Sequence, residues 1–309
     1  MKKFVRDFAY VLILIFMGIC GIEILLNNVQ NGYSYKHKYL QEHKDDISIL
    51  ILGHSHTACG VNPNMLDSAF NAAKAARSLY YDVRLTEKWV PSMKNLKVLI
   101  IPHGYDFPWG FFNLHYWNKE NKEWKQNIIY MHFKYMDIPY IESLHDFLFH
   151  TALFSNNLAM GSFHDEEMGL DTYDVLGFVW HAKEMHQNSN WKNDDNVHIQ
   201  NIGADSLYEY VCEYTLQLKE IAKICHENNV RLIAVTTPCH ESYLEQTNEI
   251  GLQTLYDIID SIRVTYPIEY YNYLSDKEFR ADSFYYDCSH LNYIGAEHFT
   301  KRLKEDLGL

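Results

Sequence analysis

Residues 47–57 read ISILILGHSHT, and this stretch decides the fold class. Its first six residues are apolar except for Ser48, which is the pattern of a short strand buried on both faces. Gly53 ends the run, and a small hydroxyl residue, Ser55, follows two positions later. Strands of this kind belong to parallel sheets covered by helices, so the stretch predicts an α/β domain whose first strand ends beside Ser55.

The remainder of the chain alternates between apolar runs and helical patterns, as an α/β domain with a parallel central sheet requires. The expected architecture has three layers, with helices on both faces of the sheet. The predicted elements are a mostly helical segment at 64–87 with a short strand or turn near Phe70 and Asn71, strands at 96–102 and 231–237, an edge strand at 268–273, and helices at 206–228, 247–264 and 293–307.

One domain is expected over residues 47–309, because no repeat or proline-rich linker divides it and the whole chain has only 7 Pro. Residues 27–46 are polar and are expected to form a stalk before this domain. Residues 111–205 lose the alternating pattern and are rich in aromatic residues and histidine. Since this segment is too long for a simple loop, it is expected to be an inserted helical lid.

The N-terminus contains a predicted transmembrane signal anchor at residues 8–26, an apolar run whose only charge is Glu23. Residues 1–7 carry Lys2, Lys3 and Arg6, which predicts a cytoplasmic N-terminus and a domain on the extracytoplasmic side of the cell membrane. A cleaved signal peptide is the alternative, but no small-x-small cleavage site follows the apolar run.

Composition excludes two classes of protein. Lys+Arg 27 against Asp+Glu 40 gives a formal net charge of −13, which argues against a nucleic-acid partner, since such binding needs a basic face. The hydrophobic share of 47% and the charged share of 22% exclude an intrinsically disordered chain.

Two motifs carry candidate chemistry. The first is GHSHT at 53–57, in which Ser55 follows a strand end and precedes a helix, although the motif is not GxSxG. The second is DCSH at 287–290, just before the last predicted helix. Asp287 can hold the His290 ring three residues later and stabilise its cation, so the chain contains Ser, Asp and His in a possible catalytic order.

These two motifs resemble those of the SGNH, or GDSL-like, hydrolase superfamily. The segment LGHSHTACGVNPNML, followed by FNAAKAARSLYYD, is similar to its membrane-anchored cell-envelope branch, whose members accompany polysaccharide or cell-wall acyl transfer. The resemblance implies that Ser55 is the nucleophile, His290 the general base and then acid, and Asp287 the orienting carboxylate. It implies no cofactor and no metal.

The sequence departs from the family at the groups that would stabilise an oxyanion. The family's Asn-containing block after a later strand reads PHGYD here, at 102–106, and its Gly-containing block corresponds to Asn71-Ala72-Ala73. The candidate oxyanion donors are therefore the N–H of Ser55, then Asn71 and Gly104. The residues expected to line the pocket at the same sheet edge are His54, His56, Tyr105 and His240.

The resemblance implies a membrane-anchored serine esterase or O-acyltransferase. Its expected substrate is an envelope glycan or acyl ester, with a membrane protein as a possible acyl donor. One alternative is a catalytically inactive scaffold in polysaccharide modification or export. The other is a metal-dependent hydrolase, since His54-x-His56 has metal-ligand spacing and three further histidines lie near predicted strand ends or loops: His103, His240 and His290.

Overall fold

The computed structural model of the chain describes residues 2–27, 32–75, 77–105, 174–179, 186, 188–193 and 204–309. The chain divides into two compact units, one formed by residues 1–37 with 117–171 and the other by 38–116 with 172–309. Most of the predicted lid at 111–205 lies outside the described residues.

The first unit begins with helix α1, Lys2–Asn27. Its segment Lys2–Ile22 has a mean hydropathy of 2.0, and its apolar side chains are exposed. By length and composition this helix can cross a membrane, although a signal sequence passes the same test. Helix α2, Gly32–His43, follows.

The second unit is built on a parallel sheet, which has five strands within the described residues. Their order across the sheet is β2-β1-β3-β4-β5, and every neighbouring pair is parallel. The strands are β1 Ile49–Ile51, β2 Ala69–Asn71, β3 Val98–Pro102, β4 Arg231–Thr236 and β5 Glu269–Asn272.

The order of the strands defines where a ligand can bind. The chain passes from β1 to β2 on one side and then returns to place β3 on the other side of β1. In doubly wound sheets of this order the crevice between the carboxyl ends of β1 and β3 is the usual ligand site. Ser55 follows β1 directly and so lies at that crevice.

Helices pack on the sheet because alternate strand residues face opposite sides. Ile49 and Ile51 of β1 share one buried cluster with Phe299 and Leu303 of the last helix. The helix Ala204–Glu227 contacts β4 and also packs on two other helices, Leu79–Trp89 and Glu249–Arg263. Among the described residues, the helices after α2 are α3 Ser55–Gly60, α4 Leu79–Trp89, α5 Ala204–Glu227, α6 Glu241–Leu244, α7 Glu249–Arg263 and α8 Tyr293–Leu307. Short 3₁₀ turns lie at 63–65, 90–92, 191–193, 277–279 and 282–284.

The parallel α/β architecture predicted from the sequence is confirmed, and so is an N-terminal helix apolar enough to span a membrane. The segment 27–46, expected to be a polar stalk, differs from that expectation. It contains α2, in which Leu40 is buried and Tyr39 stacks on Phe70 with ring centroids 4.2 Å apart. Residues 38–43 therefore pack as part of the second unit.

Candidate active site

Ser55 follows β1 through a turn whose backbone favours glycine. Gly53 has φ = +112°, and a Cβ at this position would lie 2.1 Å from the ring of Pro102. Ser55 is the first residue of α3, and His54 caps this helix, because its Nδ1 accepts the N–H of His56 at 3.4 Å. The turn thus puts the Ser55 hydroxyl at the carboxyl end of β1.

The hydroxyl of Thr57 completes the same turn. It donates to the carbonyl of Leu52 at 2.8 Å. Leu52 N donates to the carbonyl of Ile100 in the parallel ladder, and the next bond of that ladder would bring an N–H of residue 102 to the Leu52 carbonyl. Residue 102 is Pro, which has no N–H, so Thr57 supplies the missing donor. This pairing explains why a hydroxyl residue ends the GHSHT motif.

The loop 287–290 is fixed at both sides of its histidine. Asn292 caps α8 by accepting a backbone N–H of its first turn at 3.0 Å. The carbonyl of Cys288 accepts the N–H of His240, in the segment after β4, at 2.9 Å. The loop is therefore held between the end of β4 and the start of the last helix.

The structure brings Ser55, His290 and Asp287 together, although Ser55 and His290 are 235 residues apart in the chain. His290 Nε2 lies 2.7 Å from Ser55 Oγ, and His290 Nδ1 lies 2.9 Å from Asp287 Oδ2. Both distances are those of hydrogen bonds. The arrangement is that of a nucleophile, a base and a carboxylate that orients the base.

The carboxylate of Asp287 is kept ionised by its neighbours. Burial by itself raises the pKa of Asp287, but the His290 ring and the N–H groups of Ser289 and His290 hold that pKa well below its ordinary value. The two N–H groups donate to Asp287 Oδ1 at 2.8 and 2.7 Å, and the Ser289 hydroxyl lies 3.1 Å away. An ionised carboxylate at this position stabilises a proton on the His290 ring.

Three imidazoles stand side by side at the site. The centroid of the His56 ring lies 4.8 Å from that of His290 in an edge-on arrangement, and 4.8 Å from that of His54. Burial, together with the charge of the other two rings, lowers the pKa of His54 well below its ordinary value. His54 is therefore a neutral, buried helix cap, and His56 is the predicted pocket residue that contacts the base.

Asn71 has a different role from the predicted oxyanion donor. Its Nδ2 donates to the carbonyls of Thr57 and Val61, each at 2.9 Å, and its Oδ1 accepts the N–H of Ala73 at 3.0 Å. Both amide hydrogens are used, so Asn71 braces α3 instead of pointing at a substrate.

The other two candidate oxyanion donors are backbone groups. The N–H of Ser55 lies in the first turn of α3, where backbone N–H groups find no acceptor within the helix. Gly104 is buried two residues beyond the end of β3. Both stay predictions.

Tyr105 and His240, expected to line the pocket, are instead packed inside the protein. Tyr105 is 1% exposed within an apolar cluster, and its hydroxyl accepts the N–H of Asn248 at 2.9 Å. His240 is 2% exposed, and its Nε2 lies 3.1 Å from Asp282 Oδ1. Burial of these two aromatic side chains is favourable because the Tyr105 hydroxyl and His240 Nε2 each have a hydrogen-bond partner in the interior.

Three histidines of the metal hypothesis, His54, His56 and His290, lie together at the site, whereas the rings of His103 and His240 bond elsewhere. Among the described residues, no group of three or more His, Cys, Asp or Glu side chains is arranged to hold a metal ion. His103 lies in the core, where its Nδ1 is 2.9 Å from the Tyr214 hydroxyl and its Nε2 is 3.0 Å from the Leu255 carbonyl. Both ring nitrogens are thus engaged away from Ser55.

Sequence reasoning missed residues that support the site from behind. Ser289 was read only as part of DCSH, yet its hydroxyl lies 3.0 Å from His290 Nδ1. Arg77 and Asp82 form a buried ion pair behind the Gly53 turn. The available signal was two opposite charges, Arg77 and Asp82, five residues apart on either side of a short run that contains two tyrosines.

No protein-family model matches this chain, and no curated protein matches it in sequence. The geometry around Ser55 and the resemblance of its two motifs are therefore what bears on function.

Proposed function

We propose that this protein is a membrane-anchored serine esterase or O-acyltransferase that acts on ester bonds of cell-envelope glycans. The observation that carries the proposal is the hydrogen-bonded series from Ser55 Oγ to His290 Nε2 and from His290 Nδ1 to Asp287, at 2.7 and 2.9 Å. The SGNH resemblance adds support, because the motif order and the sheet-edge location of Ser55 agree with that fold.

In the first half of the reaction, Ser55 Oγ attacks the carbonyl carbon of an ester while His290 Nε2 takes the hydroxyl proton. The ionised Asp287 stabilises the resulting imidazolium through Nδ1. The tetrahedral oxyanion accepts from the N–H of Ser55, with Gly104 as a second candidate donor. Collapse breaks the carbon–oxygen bond to the leaving alcohol, which receives the proton from His290, and an acyl-enzyme remains.

In the second half, His290 takes a proton from water or from a sugar hydroxyl, and that oxygen attacks the acyl group on Ser55. Collapse of the second tetrahedral intermediate returns the proton to Ser55 Oγ. With water as the acceptor the protein acts as an esterase, and with a sugar hydroxyl as the acceptor it acts as a transferase. The roles of Ser55, His290 and Asp287 are the same in both reactions.

The apolar helix α1 supports an envelope substrate. An anchored domain meets glycans and acyl donors that are held at the same membrane surface. The net charge of −13 gives no general attraction to anionic polymers, which favours neutral sugars. Orientation follows from Lys2, Lys3 and Arg6 at the start of the chain, which favour a cytoplasmic N-terminus.

Labelling with a serine-reactive fluorophosphonate tests the proposal. The full chain in detergent should react at one site, and Ser55→Ala should remove the reaction. Ser261→Ala is the matched control, since the Ser261 hydroxyl bonds to the Ile258 carbonyl within α7 and is not part of the site. Unlabelled wild type that is folded, or equal labelling of Ser55→Ala, would contradict the serine mechanism.

The catalytically inactive scaffold stays a second candidate because of one observation. Asn71, a candidate oxyanion donor after the Ser55 N–H, has its side-chain amide occupied by backbone carbonyls of α3 and of Val61, and its backbone N–H by the carbonyl of Leu176. A missing donor costs about 10² to 10³ in rate. Cells in which Ser55→Ala preserves envelope acylation, while deletion of the protein abolishes it, would favour the scaffold.

A further inference from the structure

One backbone hydrogen bond of the β1–β2 ladder is replaced by side chains in the turn before the nucleophile. On one side of this position, the N–H of Ala72 donates to the carbonyl of Ile51 at 2.8 Å; on the other, the N–H of Lys74 donates to the carbonyl of Gly53 at 2.9 Å. The parallel pattern requires that the N–H of Gly53 donate to the carbonyl of Ala72 between them. These two groups are instead bridged indirectly.

The bridge is the ion pair of Asp82 and Arg77. Asp82 Oδ1 accepts the N–H of Gly53 at 3.1 Å, and Arg77 Nη1 donates to the carbonyl of Ala72 at 2.8 Å. Arg77 Nη1 also lies 3.4 Å from Asp82 Oδ1. The side chain of Asp82 is 1% exposed and that of Arg77 is 3% exposed. The contacts therefore join the same two backbone groups that a ladder bond would join directly.

The positive φ of Gly53 explains why the direct bond is lost. The turn rotates the Gly53 N–H out of the ladder, which leaves a buried donor and a buried acceptor that each need a partner. Apolar side chains could not satisfy them. Arg77 comes from the segment after β2 and Asp82 from the first turn of α4, so the pair also links two elements to the turn.

A buried ion pair is a poor device for stability alone, because desolvation offsets much of its attraction. Burial raises the pKa of Asp82 to about 6, although Arg77 and the Gly53 N–H act in the opposite direction. Above that pH the carboxylate is ionised and matches the charge of Arg77. Such a pair is better explained by the geometry it imposes on Gly53.

We propose that Arg77 and Asp82 are positioning residues for Ser55: by bridging Gly53 to Ala72 they fix the peptide plane that aims the Ser55 hydroxyl and N–H. This inference rests on the proposed function, since it assigns Ser55 as the group to be aimed. A small misplacement of a reacting group costs up to about 10² in rate. Loss of the bridge should therefore slow acylation more than it disturbs the fold.

The experiment uses the full chain in detergent at pH 8 and two readouts. The first is amide hydrogen exchange at Gly53, which reports the bridge whether or not Ser55 reacts. The second is the rate of fluorophosphonate labelling. The variants are Asp82→Leu, which removes the acceptor, and Asp82→Asn, which keeps an oxygen for the Gly53 N–H. Thr86→Val is the matched control, because Thr86 lies in α4 and bonds to the Asp82 carbonyl at 2.7 Å without reaching the turn.

Asp82→Leu should speed exchange at Gly53 and slow labelling, each by about tenfold or more. Asp82→Asn should restore most of both rates, and Thr86→Val should leave both near wild type. If Asp82→Leu does not fold, Arg77→Met takes its place and should change both rates in the same directions.

Wild-type rates in Asp82→Leu, or equal changes in Thr86→Val, would overturn the positioning role. Fast exchange at Gly53 in Asp82→Asn, equal to that of Asp82→Leu, would overturn it as well. An unlabelled wild type would instead remove the proposed function, and exchange at Gly53 would still decide whether the bridge holds the turn.

Discussion

The imidazole of His290 takes its orientation from Asp287, whose carboxylate receives two backbone N–H groups as well as the ring. Because these N–H donors belong to Ser289 and His290 themselves, the loop builds its own carboxylate site from four consecutive residues. The pKa of Asp287 is held low by these contacts in spite of its burial. The charge is therefore present at any pH at which His290 can act as a base.

Asp287→Asn tests the value of this charge. The amide keeps the size of the side chain and an oxygen for the backbone donors, but it cannot stabilise the imidazolium. We expect the labelling rate of Ser55 to fall by about 10³ to 10⁴ at neutral pH, with the protein still folded. Labelling reactions quenched at set times measure the rate, and a thermal melt shows whether the variant is folded. A variant that reacts at the wild-type rate would mean that Asp287 only shapes the loop.

At the scale of elements, the network around His103 joins β3 to its covering helices. The His103 ring contacts Tyr214 of α5 and the carbonyl of Leu255 in α7. Burial lowers the pKa of His103 to about 4, although the bond to Leu255 acts to raise it. The ring is thus neutral in the folded protein at pH values where an unfolded chain already binds a proton.

This network predicts acid sensitivity. The unfolded chain binds a proton at His103 below about pH 6.5, whereas the folded ring does so only near pH 4. The free energy of unfolding is therefore highest above pH 6.5 and falls as the pH drops towards 4. The loss across this window is about 3 kcal/mol in the free energy of unfolding. His103→Gln should flatten the stability curve between these pH values, as measured by urea unfolding of the full chain in detergent. Parallel curves for the two proteins would contradict the assignment.

The sequence predicted those elements whose signal is local. Strands β1 and β3 are continuous apolar runs, and β4 contains the apolar run 232–235. The last helix begins at Tyr293 and ends at Leu307 as expected. Helix α2 was missed because its burial depends on residues far along the chain, such as Phe70. A polar composition alone indicates a linker when such contacts are unknown.

The residues of the site also divide into those with a local sequence signal and those that depend on tertiary contacts. Ser55, Asp287 and His290 were predictable because each motif has a local chemical pattern. The bracing role of Asn71 was not, since it depends on which carbonyls of α3 come within reach of its amide. The Asp82 bridge was also out of reach, because it requires the ladder register and the φ of Gly53.

At the scale of the whole molecule, the apolar helix and the acidic domain suit opposite environments. The helix exposes large apolar side chains such as Leu14, which is 67% exposed, and by length and composition it can cross a membrane. We expect protease added outside intact cells to cut the domain and to leave the N-terminus intact. Reversing the charges of Lys2, Lys3 and Arg6 should reduce this digestion. Protection of the domain in intact wild-type cells would contradict the proposed orientation.

The central claim is that Ser55 forms an acyl-enzyme. Its most direct test is intact-protein and peptide mass spectrometry of the full chain in detergent, quenched within the first turnover on an activated acetyl ester. We expect one added acetyl group on Ser55 in the wild type, little or none in His290→Ala, and none on that peptide in Ser55→Ala. An unmodified Ser55 in a protein that nevertheless cleaves the ester, or an acetyl group carried on another residue, would contradict it.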